Sequence, residues 1–249
     1  MYKNYIFDLY GTLVDIHTEE ESRELWTKLA VFYGYYGASY TPEELKVAYR
    51  KEEANMRMKA LKQAHVEAPE AKEYYPEIVL EYVFQKMFLR RGVNASLELS
   101  IHAGQFFRTL SMKYIKLYKG VSNMLRKLKE SGSHVYLLSN AQRIFTQYEM
   151  TLLDITQYFD GILFSSDAGY MKPDRHFYEK LFCEYDINPK ESIMTGNDYR
   201  CDVLGAKAVG LDTCYVHSNL SPELDGKVES TYVLMQMDIG KMTDVLMEK

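Results

Sequence analysis

The ten residues from Tyr5 to Val14, which read Y-I-F-D-L-Y-G-T-L-V, constrain the fold more than any other stretch of the chain. A short apolar run ends at the carboxylate of Asp8 and is followed by Gly11 and the hydroxyl of Thr12. Such a run is typical of a buried parallel strand. Ligands of open α/β sheets bind beyond the carboxyl ends of the strands, so this pattern places Asp8 at a candidate site. Taken alone, Asp8 is equally compatible with the cap of a turn.

Three later segments repeat the pattern of an apolar run that ends in polar side chains. These ends are Ser139-Asn140, the loop with Lys172-Pro173-Asp174, and Gly196-Asn197-Asp198 followed by Asp202. From Gly120 onward, strand patterns alternate with helical patterns, which predicts a parallel sheet with helices on both faces. The four polar ends are therefore expected at one edge of one sheet.

The segment from about His17 to Lys116 has a different pattern, with charged residues among aromatics at helical spacing. Thr41-Pro42-Glu43-Glu44 is a typical helix start, with Thr41 as the N-cap. We therefore predict an α/β protein with a Rossmann-like, doubly wound parallel sheet core. Residues 1–15 and 116–249 form this core, and residues 16–115 form an inserted α-helical cap domain.

In this order, the four motifs make the chain resemble the haloacid dehalogenase (HAD) superfamily of hydrolases. The motifs are Asp-x-x-Gly-Thr from Asp8, Ser139, Lys172-Pro173-Asp174, and Gly-Asn-Asp-x-x-x-Asp from Gly196. Each motif is short and common, but their order and the intervening strands make the combination specific. The resemblance implies a cap that selects the substrate and excludes water.

The resemblance also implies roles for individual residues. Asp8 is the expected covalent nucleophile. Thr12, Ser139 and the backbone N–H groups around Leu9 to Thr12 are expected to bind the transferred group, and Lys172 to neutralise its charge. The expected catalytic residues are Asp8, Tyr10, Thr12, Ser139, Asn140 and Lys172.

Two positions depart from the phosphatases of this superfamily. Tyr10 stands where phosphatases carry a second Asp that protonates the leaving oxygen and activates water. Asn197 stands where they carry an Asp that binds magnesium, and Asn is a weaker ligand for this hard cation. Asp198 is a possible substitute. The residues implied for binding Mg²⁺ are Asp8, Tyr10, Asn197, Asp198 and Asp202. A dehalogenase would need no metal ion.

Asp-Leu-Tyr-Gly-Thr resembles the first motif of the 2-haloacid dehalogenases, which displace halide from carbon without a metal. Asn140, and Tyr178 six positions after Lys172, also fit that branch, and Arg50 is the best local candidate for binding a substrate carboxylate. The two acids Asp198 and Asp202 favour a cation instead. Our leading hypothesis is magnesium-assisted, phosphatase-like hydrolysis; the alternatives are a metal-independent dehalogenase and a degenerate member that binds a phosphorylated ligand without turnover.

Composition agrees with an ordinary globular protein. The chain has 249 residues, 47% hydrophobic and 26% charged, and a formal net charge of −5. This charge argues against a nucleic-acid partner, because phosphate backbones bind clustered Lys and Arg. No apolar run approaches the ~20 residues that span a bilayer, and no signal peptide is recognisable. Three cysteines form no C-x-x-C pair. We expect a cytoplasmic monomer or homodimer that acts on a small molecule.

Overall fold

The computed structural model describes residues 1–71 and 73–248, which form two compact units. We call Met1–Ile16, Ile115–Ala141 and Glu149–Lys249 the sheet unit, and His17–Tyr114 with Gln142–Tyr148 the helical unit. Gln142–Tyr148 therefore belong to the helical unit, although the sequence placed them in the core. The expected cap range includes Lys72 and the expected core range ends at Lys249, and both residues lie outside the described ones.

From Gly120 onward, strands and helices alternate as the sequence indicated, whereas the segment from about His17 to Lys116, expected to be helical, also has strand residues at both of its ends. The strands are β1 (Asn4–Phe7), β2 (Val14–Thr18), β3 (Met112–Leu117), β4 (His134–Ser139), β5 (Gly161–Phe164), β6 (Ser192–Gly196), β7 (Asp212–Val216) and β8 (Tyr232–Leu234). The α-helices are α1 (Arg23–Tyr35), α2 (Pro42–Glu67), α3 (Leu80–Leu89), α4 (Leu97–Ser111), α5 (Val121–Glu130), α6 (Arg143–Leu152), α7 (Ser165–Ala168), α8 (Arg175–Tyr185), α9 (Gly205–Ala208) and α10 (Ile239–Met247).

Six strands form one parallel sheet in the order β5-β4-β1-β6-β7-β8. Phe7 at the end of β1 lies in register with Leu137 of β4 and Thr195 of β6. The carboxyl ends of these three strands are therefore neighbours at one edge. Strands β2 and β3 form a separate two-stranded sheet, where the chain leaves the sheet unit and returns to it.

Apolar side chains cover both faces of the six-stranded sheet. Successive side chains of a strand point to opposite faces, and accordingly Tyr5 and Phe7 belong to one buried cluster and Ile6 to another. Helices α5 and α10 contribute to the first cluster and α8 to the second. The prediction of a Rossmann-like, doubly wound α/β fold is confirmed.

The helical unit has its own core, which is rich in aromatic side chains. Trp26, Tyr33, Tyr49, Phe84 and Phe107 are among its buried members. Aromatic pairs of this kind contribute beyond the area that they bury.

Helix α2 begins where the sequence predicted, with Thr41 as its N-cap. The Thr41 hydroxyl accepts a hydrogen bond from the N–H of Glu44 at 3.2 Å, and the Glu44 carboxylate accepts one from the N–H of Thr41 at 3.0 Å. This reciprocal arrangement is the capping box. Along residues 1–71 and 73–248, no helix combines the length and apolarity that crossing a bilayer requires.

Candidate active site

A tight turn directly after β1 holds Asp8 at the edge of the sheet. The Asp8 N–H donates to the Thr195 carbonyl at 2.9 Å, which extends the pairing of β1 with β6 by one residue. Gly11 has a φ of +85°, which favours glycine. A Cβ there would also lie 2.3 Å from the Asn197 side-chain nitrogen. The turn therefore needs glycine for its backbone conformation and for the close approach of Asn197.

Lys172 joins two carboxylates at the centre of the site. Its ammonium nitrogen lies 2.7 Å from Oδ1 of Asp8 and 2.7 Å from Oδ1 of Asp202. The lysine is only 3% exposed. The Asn140 side chain fixes the lysine backbone, since it accepts from the Lys172 N–H at 2.7 Å and donates to the Lys172 carbonyl at 3.0 Å. Asn140 is therefore a positioning residue for Lys172.

Asp202 is held by the turn in which it lies. The Asp198 side chain caps a single π-helical turn, Tyr199–Leu204, by accepting from the Cys201 N–H at 2.9 Å. In return, Oδ2 of Asp202 accepts from the Asp198 N–H at 2.9 Å. A Cβ at Gly196 would lie 2.2 Å from the Asp202 carboxyl carbon, so only glycine leaves room for this carboxylate.

Burial and neighbouring charges have opposite effects on the pKa values of Lys172 and Asp202. Burial raises the pKa of the Asp202 carboxyl to about 7, although Lys172 lowers it, and the nearby charge of Asp8 adds to the rise. Burial alone would lower the pKa of Lys172, but the carboxylates of Asp202 and Asp8 outweigh it and raise the pKa above its usual value. Lys172 therefore stays protonated, and two buried carboxylates share its charge.

Two hydroxyls complete the surroundings of Asp8. The Thr12 hydroxyl lies 3.3 Å from Oδ2 of Asp8 and 3.2 Å from Oδ1 of Asn197, and its single hydrogen serves one of them at a time. The Ser139 hydroxyl lies 3.5 Å from Oδ1 of Asp8. The N–H of Gly11 donates to the Val14 carbonyl at 2.8 Å and that of Thr12 to Leu9 at 3.3 Å. These two N–H groups are used within the turn, and binding of the transferred group by the N–H groups around Leu9 to Thr12 stays a prediction.

The phenol of Tyr10 has a partner that the sequence did not reveal. Its hydroxyl donates to Oε2 of Glu149, a buried residue on α6 within the sheet unit. In sequence, Glu149 is one charged residue of a helical pattern, and nothing in its neighbourhood distinguishes it from a solvated glutamate. Its contact with Tyr10 arises only from the fold.

A cavity of about 180 Å³ opens at this edge of the sheet. It is lined mainly by polar side chains of the four motifs, with an apolar contribution from the loop after β7; the lining residues are Asp8, Tyr10, Ser139, Asn140, Lys172, Asn197, Asp198, Cys201, Asp202, Leu220 and Pro222. The sequence had not singled out Leu220 and Pro222 for the site. Burial raises the pKa of the Cys201 thiol, which keeps it protonated and unreactive.

The two candidate residues for substrate binding have other partners. Tyr178 is fully buried and donates its hydroxyl to the Cys201 carbonyl. It packs in one of the two buried clusters of the sheet unit, and its contact with a substrate stays a prediction. Arg50 belongs to the helical unit, where its guanidinium lies within 3.6 Å of three acids, Glu20, Glu21 and Glu53. This places Arg50 in an ion-pair network, and its role toward a substrate stays a prediction.

The chemistry of the cavity suits magnesium, and its geometry limits how the ion is held. Asp8, Asp198, Asp202 and the amide oxygen of Asn197 are hard oxygen donors. Both oxygens of Asp202 already have partners, and the described residues contain no cluster of three or more His, Cys, Asp or Glu placed to hold a metal. The residues therefore fit Mg²⁺ that keeps several waters and uses oxygens of the substrate, as is usual for this ion.

Sequence comparison identifies the family. Residues 2–210 match the family model of the haloacid dehalogenase-like hydrolases, and the chain belongs to this family of enzymes. A glyceraldehyde 3-phosphate phosphatase of Methanothermobacter thermautotrophicus is 24% identical over 142 residues, which are 56% of this chain. The chain spans 63% of the length of that relative.

Solved structures show the same fold. An HAD phosphatase from Thermococcus onnurineus superposes with a TM-score of 0.54 at 16% identity, over 98% of both chains. An L-2-haloacid dehalogenase superposes with a TM-score of 0.58 at 15% identity, over 99% of both chains. Both structures confirm the fold. Their TM-scores are almost equal, so the structural similarity does not discriminate between phosphatase and dehalogenase chemistry.

Proposed function

We propose that the protein is a phosphatase-type hydrolase in which Asp8 attacks a small phosphate ester with assistance from magnesium. The observation that carries the proposal is the buried Asp8 carboxylate with the Lys172 ammonium at 2.7 Å, at the edge where three strands end. The similarity to a glyceraldehyde 3-phosphate phosphatase supports phosphate as the group transferred. A dianionic phosphate placed here meets a fixed cation beside a carboxylate nucleophile.

The first chemical step balances without a further reactant. A carboxylate oxygen of Asp8 attacks phosphorus, the bond from phosphorus to the ester oxygen breaks, and its electron pair leaves with that oxygen. Asp8 then carries the phosphoryl group as an acyl phosphate. In the second step water attacks phosphorus, which regenerates the Asp8 carboxylate and releases dihydrogen phosphate, with the second proton of water on a phosphoryl oxygen.

The surrounding side chains stabilise charge during these steps. Lys172 stays protonated and lies against Asp8, so it offsets the negative charge that builds up between nucleophile and phosphate. Ser139 and Thr12 hold the carboxylate in place. The cavity is lined by three carboxyl groups, of which Asp202 has a pKa raised to about 7, and by one ammonium. An incoming phosphate therefore benefits from another cation. Bound Mg²⁺, held by Asp8 with Asn197 and Asp198, would supply this charge to the phosphoryl oxygens.

Tyr10 limits which esters react fast. A phenol with a pKa near ~10 is a poor proton donor and a poor base at neutral pH. We expect rapid reaction only with leaving groups that depart unprotonated, such as p-nitrophenolate. The expected partner is thus a small molecule, while the cytoplasmic location and the monomeric or dimeric state stay predictions.

Metal-independent 2-haloacid dehalogenation is the second candidate. Two observations favour it: Tyr10 replaces the second Asp of phosphatases, and the Lys172 ammonium already bridges Asp8 and Asp202. In that reaction Asp8 would attack the carbon that bears the halogen and form an ester, which water then hydrolyses.

One experiment separates the two candidates. The purified protein is incubated with p-nitrophenyl phosphate or L-2-chloropropionate, each with Mg²⁺ and with a chelator, and with Asp8→Asn as the control. Release of p-nitrophenol and phosphate that requires Mg²⁺ and Asp8 supports the proposal. Chloride release that persists in the chelator would overturn it in favour of dehalogenation.

A further inference from the structure

One wall of the otherwise polar cavity is apolar, and the proposed chemistry does not use it. Among the described residues that line the cavity, Leu220 and Pro222 are the two aliphatic ones, and both lie in the loop after β7. This loop belongs to the sheet unit, as do the other lining residues. Leu220 is 37% exposed. A single exposed leucine is ordinary, but here two apolar side chains share a cavity with the nucleophile Asp8.

The turn that carries Leu220 is closed by its own serines. The Ser218 N–H donates to the Ser221 hydroxyl at 2.9 Å, and the Ser221 N–H donates to the Ser218 carbonyl at 3.2 Å. The Leu220 N–H donates to the Ser218 hydroxyl at 3.3 Å. Hydrogen bonds from side chains to nearby backbone groups stabilise turns, and Pro222 adds a fixed φ. The turn therefore holds Leu220 in place without a ligand.

Asn219 joins the same turn to the segment that carries the nucleophile. Its side-chain NH₂ donates to Oδ1 of Asp15 at 2.9 Å, and its side-chain oxygen accepts from the Tyr118 hydroxyl at 2.6 Å. Asp15 is buried on β2. The Tyr118 N–H donates to the Leu13 carbonyl at 3.0 Å, in the stretch that follows Asp8. These bonds fix the turn relative to the nucleophile.

The charges of the cavity indicate what kind of group can lie against the apolar wall. Lys172 is the one cation among the described lining residues, and its ammonium is bonded to Asp8 and Asp202. A phosphate at Asp8 would use this cation, which leaves none of these residues to pair with a negative charge on the organic part of the ester. Burying an unpaired charge is costly, whereas an apolar group gains from contact with aliphatic side chains.

We propose that Leu220 and Pro222 are specificity-determining residues that select phosphate monoesters with an uncharged, apolar organic group, such as an aryl ring, next to the ester oxygen. Asn219 is the positioning residue that holds their turn. This inference deepens the proposed function and rests on it. With the phosphate at Asp8 and Lys172, the organic group packs on the side chains of Leu220 and Pro222, which removes apolar surface from water.

Two phosphates whose leaving groups depart unprotonated test this selection. p-Nitrophenyl phosphate carries an aryl ring, acetyl phosphate carries only a small polar group, and both would form the same intermediate on Asp8. The value of kcat/KM for phosphate release is measured for each with Mg²⁺, and Asp8→Asn serves as the blank. Because kcat/KM reports the steps up to formation of the intermediate, it does not depend on how fast the intermediate is hydrolysed.

Truncating Leu220 should affect only the aryl substrate. Leu220→Ala should lower kcat/KM for p-nitrophenyl phosphate about fivefold to twentyfold, mainly through a higher KM, and change the value for acetyl phosphate by less than about twofold. Leu220→Met keeps an apolar side chain of similar size and should retain the selectivity of wild type. Asn219→Ala should lower the ratio of the two kcat/KM values in the same direction, because the turn loses both of its side-chain bonds to Asp15 and Tyr118.

Leu152→Ala is the matched control. It truncates an exposed leucine of the sheet unit that is not among the lining residues, and it should resemble wild type with both substrates.

The outcomes separate this inference from the proposed function. A Leu220→Ala variant with the wild-type ratio of the two kcat/KM values overturns the inference and leaves the proposed function intact. So does an equal loss with both substrates, since that result indicates general damage to the site. An unchanged ratio in Asn219→Ala overturns its positioning role. Wild-type protein that releases phosphate from neither substrate in an Asp8-dependent reaction overturns both the proposed function and the inference.

Discussion

The sheet unit and the helical unit bury different kinds of side chains. The sheet unit buries charge at the end of its strands, where Asp8, Lys172 and Asp202 are almost inaccessible. The helical unit buries an apolar core that includes the aromatic rings of Trp26 and Phe107. Its ion pairs stay partly in solvent, since Arg50 is partly exposed and the buried Glu52 pairs with cations that are partly exposed. Burying an ion costs free energy, whereas burying an aromatic ring stabilises the fold.

This difference indicates what each set of residues is for. Hydrophobic residues of similar volume usually stabilise a protein at least as well as a buried ion pair. Two carboxyl groups that share one ammonium are an even less favourable arrangement, because burial and the charge of Asp8 raise the pKa of Asp202 to about 7. We therefore attribute the buried charge of the sheet unit to chemistry, and the aromatic core of the helical unit to stability. The predictions below test this contrast.

The largest effect is expected when the nucleophile is removed. Asp8→Asn should lower turnover of p-nitrophenyl phosphate by at least about ten-thousandfold, because an amide oxygen is a far weaker nucleophile than a carboxylate. The fold should survive, since the Asn oxygen still accepts from Lys172. Activity assays together with the melting temperature test this expectation. Substantial residual turnover would mean that the charge at position 8 serves another purpose.

Removing a cation should affect the two units very differently. Lys172→Met leaves Asp8 and Asp202 facing each other without a cation, and we expect a loss of about 3 kcal/mol in the free energy of unfolding. Arg50→Met in the helical unit should cost less than about 1 kcal/mol, because its ion pairs are exposed to solvent. Denaturant unfolding of the two variants makes the comparison. Equal losses would contradict the contrast between the two units.

Two glycines with positive φ provide a third test. Gly11→Ala combines backbone strain with a clash against Asn197 and should cost about 2–4 kcal/mol. Gly92→Ala has a similar φ of +77° but no atom within 4 Å of the added Cβ, so only the strain of about 1 kcal/mol applies. The difference between their melting temperatures measures the close packing of the site turn. Identical shifts would show that Asn197 moves aside at little cost.

A small effect is also expected from an ion pair in the helical unit. A hydrogen bond from Lys86 and the nearby Arg90 hold the pKa of Glu52 below its usual range. The pair therefore stabilises the fold above the ordinary pKa of about 4.3 and loses this effect as pH falls through the lowered value. Glu52→Gln should cost about 1 kcal/mol at pH 7, since both cations are partly exposed.

Thermal unfolding at several pH values tests this last prediction. The difference in melting temperature between wild type and Glu52→Gln should shrink as the pH falls below about 4. A difference that stays constant from pH 7 to pH 3.5 would show that Glu52 stabilises the helical unit by packing and not by charge.

The residues at the strand ends were predictable because they follow short, recognisable patterns. Asp8, Ser139 and Asn197 each follow an apolar run, and parallel strands bring their carboxyl ends to one edge. The Thr41 capping box was equally visible, because its partners are three residues apart. Patterns of this kind depend only on neighbours along the chain.

Other features of the site depend on segments that are distant in sequence. Asn140 and Lys172 are 32 residues apart, and no local pattern indicates that one side chain fixes the backbone of the other. Tyr178 was assigned to the substrate from the resemblance to the dehalogenase branch, and the fold directs its hydroxyl to the Cys201 carbonyl. Gln142–Tyr148 joined the helical unit for the same reason, since a helical pattern does not say which core the helix packs on.

Short apolar runs and helical periodicity thus carried the fold class, because both arise from local sequence. The motif residues of the site came from the order of four short motifs and the resemblance to the HAD superfamily. Tertiary structure alone decided that Lys172 is shared between two carboxylates and that Tyr10 donates to Glu149. The hydrogen bond from Tyr10 to Glu149 joins residues 139 positions apart, so no periodic pattern in the sequence indicates it.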